Sequence, residues 1–199
     1  KNMLSLKNSL AVLKRTNALL DGHFVLSSGL HSSKYIQCAK LLSQPKHSKK
    51  ICKSLSQKIK RKFGKIDLIL SPAIGGIVIG YEMGRLLKIE TIFSERVKGK
   101  FKLRRGFKIK KKSKVLIVED VITTGKSSLE CSKIVKKSGA KILGYACLIN
   151  RSDKKNLKIK NKPIVEQIKI NVVAYKKKNL PKHIKKIPIS IPGSRNLKW

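Results

Sequence analysis

The chain has few acidic residues: ten Asp and Glu stand against 48 Lys and Arg in 199 residues, which gives a formal net charge of +38. Arginine is also scarce, because 40 of the 48 basic residues are lysine. Arginine makes the better bidentate contacts to phosphates and bases, and no nucleic-acid-binding motif is present. A nucleic-acid partner is therefore not expected. We expect instead a lysine-biased, solvated surface whose charge attracts small polyanionic substrates.

Cysteines and long apolar segments are few as well. Cys38, Cys52, Cys131 and Cys147 form no C-x-x-C pair and stand among apolar residues, which indicates small core side chains in a reducing compartment. The most apolar run, residues 68–81, is too short to span a bilayer and contains a proline and three glycines. No secretory signal pattern is present. We therefore expect a cytoplasmic protein without membrane contact.

Residues 115–128 combine chemical groups that are rare elsewhere in the chain. Four apolar residues predict a strand buried on both faces, and the adjacent acids Glu119 and Asp120 follow at its carboxyl end. A Thr-Thr-Gly-Lys-Ser loop then leads into a helical pattern. Loop amides and a helix N-terminus in this position favour a phosphate ligand, although the spacing is not that of a Walker P-loop. The alternative, a turn with merely solvated acids, is disfavoured because acids are so scarce.

Alternating strand and helix patterns predict an α/β fold with a parallel sheet and right-handed crossovers. Helices are expected over residues 3–20, 45–63, 77–87 and 127–138, and strands over residues 67–70, 90–94, 114–119, 141–149 and 164–175. Two short runs, 24–26 and 34–38, flank a Ser-Gly turn and predict a β-hairpin. Residues 154–162 are expected to form an exposed loop, and the tail is expected to be largely irregular. The length and the 41% hydrophobic content suffice for one domain with an ordinary core.

Two further segments each allow two interpretations. Residues 98–114 contain ten basic residues and no acid, and Phe101, Leu103 and Phe107 alternate with basic residues there. This segment is either a solvated hairpin or a mobile cationic lid that closes over an anionic ligand and excludes water. Residues 71–76 form a glycine turn whose amides can approach a ligand closely, or an ordinary strand-to-helix turn.

The stretch 115–127 resembles the phosphoribosyl pyrophosphate signature of type I phosphoribosyltransferases: a hydrophobic strand, two acids, two aliphatic residues and Thr-Thr-Gly-x-Ser. Residues 22–32 read G-H-F-x-L-x-S-G-x-H-S, which resembles the hood of orotate phosphoribosyltransferases. The resemblance implies a type I phosphoribosyltransferase fold, with a parallel central sheet flanked by helices. It also implies a single domain over residues 1–199, with a core of about 41–175 and a small hood of about 1–40 and 176–199.

The same resemblance implies transfer of the phosphoribosyl group from 5-phosphoribosyl 1-pyrophosphate (PRPP) to orotate in pyrimidine synthesis, with Mg²⁺ held mainly by the substrate rather than by protein side chains. The implied PRPP-binding residues are Glu119, Asp120, Val121, Ile122, Thr123, Thr124, Gly125, Lys126 and Ser127, with Ala73, Ile74 and Gly75 at the pyrophosphate. The implied catalytic residues are Glu119, Asp120, Arg96, Lys98 and Lys100. The implied orotate-binding residues are Thr123, Arg151, Ser28, Gly29 and Tyr35. A homodimer is implied too, because in the family the lid reaches the neighbouring subunit's site.

The chain departs from the common family pattern at the cations around pyrophosphate. Ser27 and Gly75 stand where many members have lysine, and the lid has no histidine, so Arg104 and Arg105 are further candidates for the missing charges. Residues 180–183 lack the C-P-x-C pair of a similar variant, so no metal site is expected there.

Three alternatives remain open from the sequence. Arg151 is either the partner of the orotate carboxylate or a surface arginine paired with Asp153. The enzyme either acts on orotate or on another base, and the hood pattern together with Arg151 favours orotate. The third possibility, a non-catalytic nucleic-acid-binding regulator, is disfavoured by the acid pair, since carboxylates repel a phosphate backbone.

Overall fold

The computed structural model describes residues 3–26, 28–152 and 161–190. The helices are α1 (Leu6–Arg15), α2 (Cys38–Leu42), α3 (Pro45–Lys62), α4 (Gly75–Leu87), α5 (Lys126–Lys137) and α6 (Lys182–Lys185). The strands are β1 (Leu19–Val25), β2 (His31–Ile36), β3 (Leu68–Pro72), β4 (Thr91–Val97), β5 (Lys100–Leu103), β6 (Lys114–Ile122), β7 (Lys141–Asn150), β8 (Ile164–Lys169), β9 (Ala174–Tyr175) and β10 (Ile189–Ser190).

The larger sheet has the strand order β5-β4-β3-β6-β7-β8 and is parallel except for β5, which pairs antiparallel with β4. Strand β6 lies inside it and is covered on both faces. Val115 and Ile117 belong to the core that includes α5, whereas Leu116 and Val118 belong to the core that includes α3 and α4. Since successive side chains of a strand point to opposite faces, the predicted doubly buried strand is confirmed.

The smaller sheet has the order β10-β1-β2-β9, and its centre is the predicted hairpin of β1 and β2. The later segments join this hairpin on both sides, because β9 pairs with β2 and β10 pairs with β1. A buried pair of rings adds a second link. His23 Nε2 lies 2.7 Å from His31 Nδ1, and His23 Nδ1 lies 3.1 Å from the carbonyl of Ile187.

The predicted helix over residues 3–20 is wrong at its end. Helix α1 stops at Arg15, because the Thr16 hydroxyl donates back to the carbonyls of Val12 and Leu13, and Asn17 takes a positive φ of 55°. Residues 19–25 then form β1 instead.

The single late strand predicted over residues 164–175 is also wrong. Strand β8 pairs with β7 in the larger sheet, whereas β9 pairs with β2 in the smaller one. The intervening residues carry the chain between the two sheets. The tail contains α6 and β10 up to residue 190, and most of the expected loop over 154–162 lies outside the described residues. Across the described segments, no helix combines the length and the apolar character that crossing a membrane requires.

Candidate active site

The loop between β6 and α5 forms a small polar pocket at the carboxyl end of the central strand. Gly125 takes a left-handed φ of 73° and immediately precedes α5, so a residue with a side chain would be strained there. The Lys126 N–H lies 3.4 Å from the Thr124 hydroxyl. The pocket measures about 130 Å³ and is lined by Glu119, Val121, Ile122, Thr123, Thr124, Gly125, Lys126 and Ser127. Apart from Asp120, these are the residues predicted from the loop motif.

Glu119 is the more deeply buried member of the acid pair, with 7% of its surface exposed. The Ser128 hydroxyl, in the first turn of α5, donates a hydrogen bond to its Oε1. Burial raises the pKa of Glu119 to about 7, and this hydrogen bond opposes the rise because it favours the charged form. Glu119 therefore titrates near neutrality in this structure.

Asp120 brings the second predicted loop to the first. Its Oδ1 accepts a hydrogen bond of 2.9 Å from the Val121 N–H, and burial raises the pKa of its carboxyl group. Gly75, the first residue of α4, lies directly against it, since a Cβ on Gly75 would be 2.6 Å from Asp120 Oδ2. The predicted pyrophosphate loop, Ala73-Ile74-Gly75, thus meets the acid pair, and its Ala73–Ile74 peptide bond is cis.

Arg151 follows β7 and lies next to the same strand end. Its backbone N–H donates to the carbonyl of Ile122 at 2.8 Å. Its side chain is partly buried, and its buried Nε has no hydrogen-bond partner among the described residues. Burial lowers the pKa of Arg151, and nearby Cys38 and Tyr35 oppose this. The Cys38 thiol donates to the Asp120 carbonyl at 3.8 Å, so the start of α2, the acid pair and Arg151 come together.

Of the remaining predicted orotate contacts, Tyr35 lies in β2 and is partly buried, whereas Thr123, Ser28 and Gly29 are exposed. Thr123 lies in the pocket loop with its side chain open to solvent. Ser28 and Gly29 form the exposed tip of the hairpin, where the Gly29 N–H donates to the Leu26 carbonyl at 2.8 Å and φ of Gly29 is 75°. Ser27 and Asp153 lie outside the described residues, so the predicted alternative for Arg151, an ion pair with Asp153, stays a prediction.

The predicted lid contains the β4–β5 hairpin, which contacts α5. Arg96 donates to Glu130 at 2.9 Å and to the Gly99 carbonyl at 2.7 Å, and its guanidinium lies 4.1 Å from the centre of the Phe101 ring. Lys98 and Lys100 are exposed at the turn. Arg96 is therefore paired with Glu130 of α5. None of these three cations lines the pocket. Of the further candidates, Arg105 is paired with Glu95 at 2.9 Å.

Known proteins that are similar to this chain are phosphoribosyltransferases, which agrees with the phosphate-binding geometry of the loop. The family model for a phosphoribosyl transferase domain matches residues 39–179. The orotate phosphoribosyltransferase of Parvibaculum lavamentivorans is 44% identical over 185 residues, which are 92% of this chain and 94% of that protein. The orotate phosphoribosyltransferase of Carboxydothermus hydrogenoformans is 43% identical over 89% of this chain and 92% of that protein.

This chain belongs to the orotate phosphoribosyltransferase family. The family predicted from residues 22–32 and 115–127 is thereby confirmed. Solved structures agree on the fold: the orotate phosphoribosyltransferase of Aeropyrum pernix matches with a TM-score of 0.68 at 22% identity, over 80% of this chain and 92% of that one. The adenine phosphoribosyltransferase of Thermoanaerobacter pseudethanolicus matches with a TM-score of 0.59 at 19% identity, over 69% and 88%. Neighbours this distant show the type I phosphoribosyltransferase fold, not the base.

Three contacts at the candidate site were not predicted from the sequence. Ser128 follows the signature by one position. It contacts Glu119 because the first turn of α5 packs against the end of β6. Cys38 was correctly expected in the core, but its contact with Asp120 was not. Glu130, which holds Arg96, gave no signal because helical periodicity reports a face and not a partner.

Proposed function

We propose that this protein transfers the phosphoribosyl group of PRPP to orotate, giving orotidine 5′-phosphate and pyrophosphate. In this reaction the bond between the anomeric carbon and pyrophosphate breaks, and a bond to a ring nitrogen of orotate forms. The main supporting observation is the contact between Gly75 and Asp120, which joins a loop suited to pyrophosphate with the acid pair beside the polar pocket. A leaving group, a ribose and a phosphate would occupy these three places.

The pocket loop is the proposed site of the ribose 5-phosphate. Its amides and hydroxyls at residues 123–127 lie ahead of α5, and the N-terminus of a helix favours an anion. Glu119 and Asp120 would accept hydrogen bonds from the ribose 2- and 3-hydroxyls and stabilise positive charge on the ring in the transition state. The backbone of Ala73, Ile74 and Gly75 would face pyrophosphate.

Orotate is the proposed partner of Arg151. A planar guanidinium suits a carboxylate on a flat ring, and support comes from the buried Arg151 Nε without a hydrogen-bond partner among the described residues. Burying such a donor costs free energy unless a ligand accepts a hydrogen bond from it. Thr123, Ser28, Gly29 and Tyr35 would then surround the base.

The donor groups present are compatible with Mg²⁺ carried in by the substrate. No cluster of three or more His, Cys, Asp or Glu that could hold a metal occurs within the described part of the chain. Mg²⁺ dehydrates reluctantly and keeps several waters, so the phosphates and ribose hydroxyls of PRPP would supply its other ligands, and no protein side chain needs to bind it directly. Bound Mg²⁺ would neutralise charge on the departing pyrophosphate.

A homodimer is part of the proposal, with Arg96, Lys98 and Lys100 acting from the lid. Support comes from one face of α4 and the residue before it, where Ile74, Val78 and Tyr81 are 86%, 52% and 67% exposed. Apolar side chains at this spacing form a continuous helix face beside the pyrophosphate loop, which a second copy would cover. Val78→Glu should shift the sedimentation coefficient to that of a monomer, whereas Val173→Glu, at another exposed valine, should not. An unchanged dimer in Val78→Glu would refute this interface.

We also propose a cytoplasmic location, supported by four buried, unpaired cysteines that suit a reducing compartment.

The function is tested by turnover of orotate with PRPP and Mg²⁺, measured for the wild type and three variants. Asp120→Asn should reduce kcat severely without loss of the fold. Arg151→Gln should raise the KM for orotate about tenfold to a hundredfold and leave the KM for PRPP nearly unchanged, because a charge-assisted hydrogen bond is lost. Arg61→Gln, at an exposed arginine of α3, is the control. Wild-type consumption of a purine instead of orotate would refute the assignment.

A further inference from the structure

We propose that Ser128 is a positioning residue, whose hydroxyl holds the Glu119 carboxylate in the orientation that meets the ribose of PRPP. This rests on the proposed function, because it concerns the acid assigned to the ribose hydroxyls.

The contact is buried and comes from a fixed element. Ser128 is 0% exposed in the first turn of α5, and its hydroxyl donates to Glu119 Oε1 across the gap between helix and strand. The backbone N–H of Ser128 also interacts favourably with the carboxylate. The carboxylate thus lies at the N-terminal end of a helix, where negative charge is stabilised. Ser128 therefore holds Oε1 of Glu119 from the first turn of the helix.

The surroundings of Glu119 explain why such a donor is needed. The ionisable groups that influence it come from three elements: Asp120 on β6, Cys131 on α5, and Tyr145 and Cys147 on β7. None of them carries a positive charge. Within the described chain, the side chain that donates a hydrogen bond to Glu119 is that of Ser128. Without its hydroxyl, the backbone N–H of Ser128 would remain to oppose burial, which favours the neutral form. No side chain of the described residues would then hold the carboxyl group in one orientation.

The variants separate this role from a general effect of a buried hydroxyl. Ser128→Ala removes the hydroxyl and retains the backbone N–H, whereas Ser128→Thr retains both. Ser132→Ala is the matched control, because Ser132 is also fully buried in α5 but bonds to Tyr145 at 2.7 Å and to the Ser128 carbonyl at 2.8 Å, and not to Glu119. Circular dichroism at each pH verifies that all three variants are folded.

Two kinetic results are expected. Ser128→Ala should lower kcat/KM for PRPP about tenfold to a hundredfold, the effect of losing a hydrogen bond to a charged group. The acidic limb of its pH profile should move to higher pH by about one unit, because the lost donor favoured the charged form. Ser128→Thr should restore the limb to the wild-type pH, and Ser132→Ala should leave the limb there. A Ser128→Ala profile that coincides with that of the wild type would overturn the proposal.

A third measurement does not depend on turnover. In an NMR titration, glutamate labelled with ¹³C at the carboxyl carbon gives signals from six glutamates. The signal that is missing in Glu119→Gln is that of Glu119. In Ser128→Ala the Glu119 midpoint should rise and calorimetric binding of Mg–PRPP should weaken; an unchanged midpoint, or a raised midpoint with unchanged binding, overturns the positioning role. A wild type that binds Mg–PRPP but does not consume orotate would refute the proposed base and leave this inference standing.

Discussion

Replacing Glu119 with glutamine should make the protein more stable while impairing catalysis. Glu119 is 7% exposed, and burial raises its pKa from the usual 4.5 to about 7. The unfolded chain ionises this acid at a lower pH than the folded chain does. Above pH 4.5 the folded state therefore binds the additional proton, and stability falls as the pH rises towards 7. Glutamine resembles the protonated acid in size and hydrogen bonding, so it removes this cost.

The size of the effect follows from the two pKa values. A difference between 4.5 and about 7 corresponds to about 3 kcal/mol, since each pH unit is worth about 1.4 kcal/mol. Integrated over pH, about 2.5 kcal/mol of this develops between pH 5 and pH 8. The gain in free energy of unfolding should thus be small at pH 5 and reach about 3 kcal/mol at pH 8. A gain in stability together with a loss of activity is the trade-off expected when a functional acid is removed from an active site.

Urea denaturation followed by circular dichroism at pH 5, 6, 7 and 8 measures the difference directly. Glu90→Gln is the control, because it removes an exposed carboxylate just before β4 and changes the net charge equally. Its effect should vary little with pH. A Glu119→Gln variant that is less stable than the wild type at pH 8, or whose effect does not depend on pH, would refute the reasoning from burial.

Three other substitutions or reagents test separate contacts. Gly75→Ala should lower turnover at least tenfold, because the new Cβ would lie 2.6 Å from Asp120 Oδ2 and displace it; wild-type kcat would show that the loop adjusts. Gly144→Ala should destabilise the fold by about 1–3 kcal/mol, since its Cβ would lie 2.5 Å from the Pro163 carbonyl and 2.7 Å from the Phe63 ring; an unchanged urea midpoint would contradict this. The four buried thiols should react with a disulfide reagent only after denaturation, because burial raises their pKa; rapid labelling of the native protein would contradict their burial.

The sequence predicted the centre of the fold well because the signal there is local. The apolar run before Glu119 has no polar break, and a loop with glycine and hydroxyl residues follows it directly, so strand, acids and loop fall in one short window. The hairpin at the hood was also predictable, since a turn pattern lies between two short β-type runs. Local pattern failed where it was ambiguous: Leu13 and Leu20 are seven residues apart, which suits a helix, yet Leu20 belongs to β1.

Contacts between distant segments could not be predicted. Gly75 and Asp120 are far apart in sequence, and their contact arises because β3 and β6 are parallel neighbours that end at the same edge of the sheet. The pairing of Arg96 with Glu130 likewise depends on how the lid hairpin packs on α5. Motif spacing specifies which residues share a loop, but the partner across a gap depends on the packing of whole elements.

The most direct test of the proposed function is a competition between bases. The protein would be incubated with PRPP, Mg²⁺ and equal amounts of orotate and adenine, and the products separated by chromatography. Orotidine 5′-phosphate should form with one pyrophosphate released per orotate consumed, and adenine should remain. Formation of the adenine nucleotide, or release of pyrophosphate without consumption of orotate, would contradict the account.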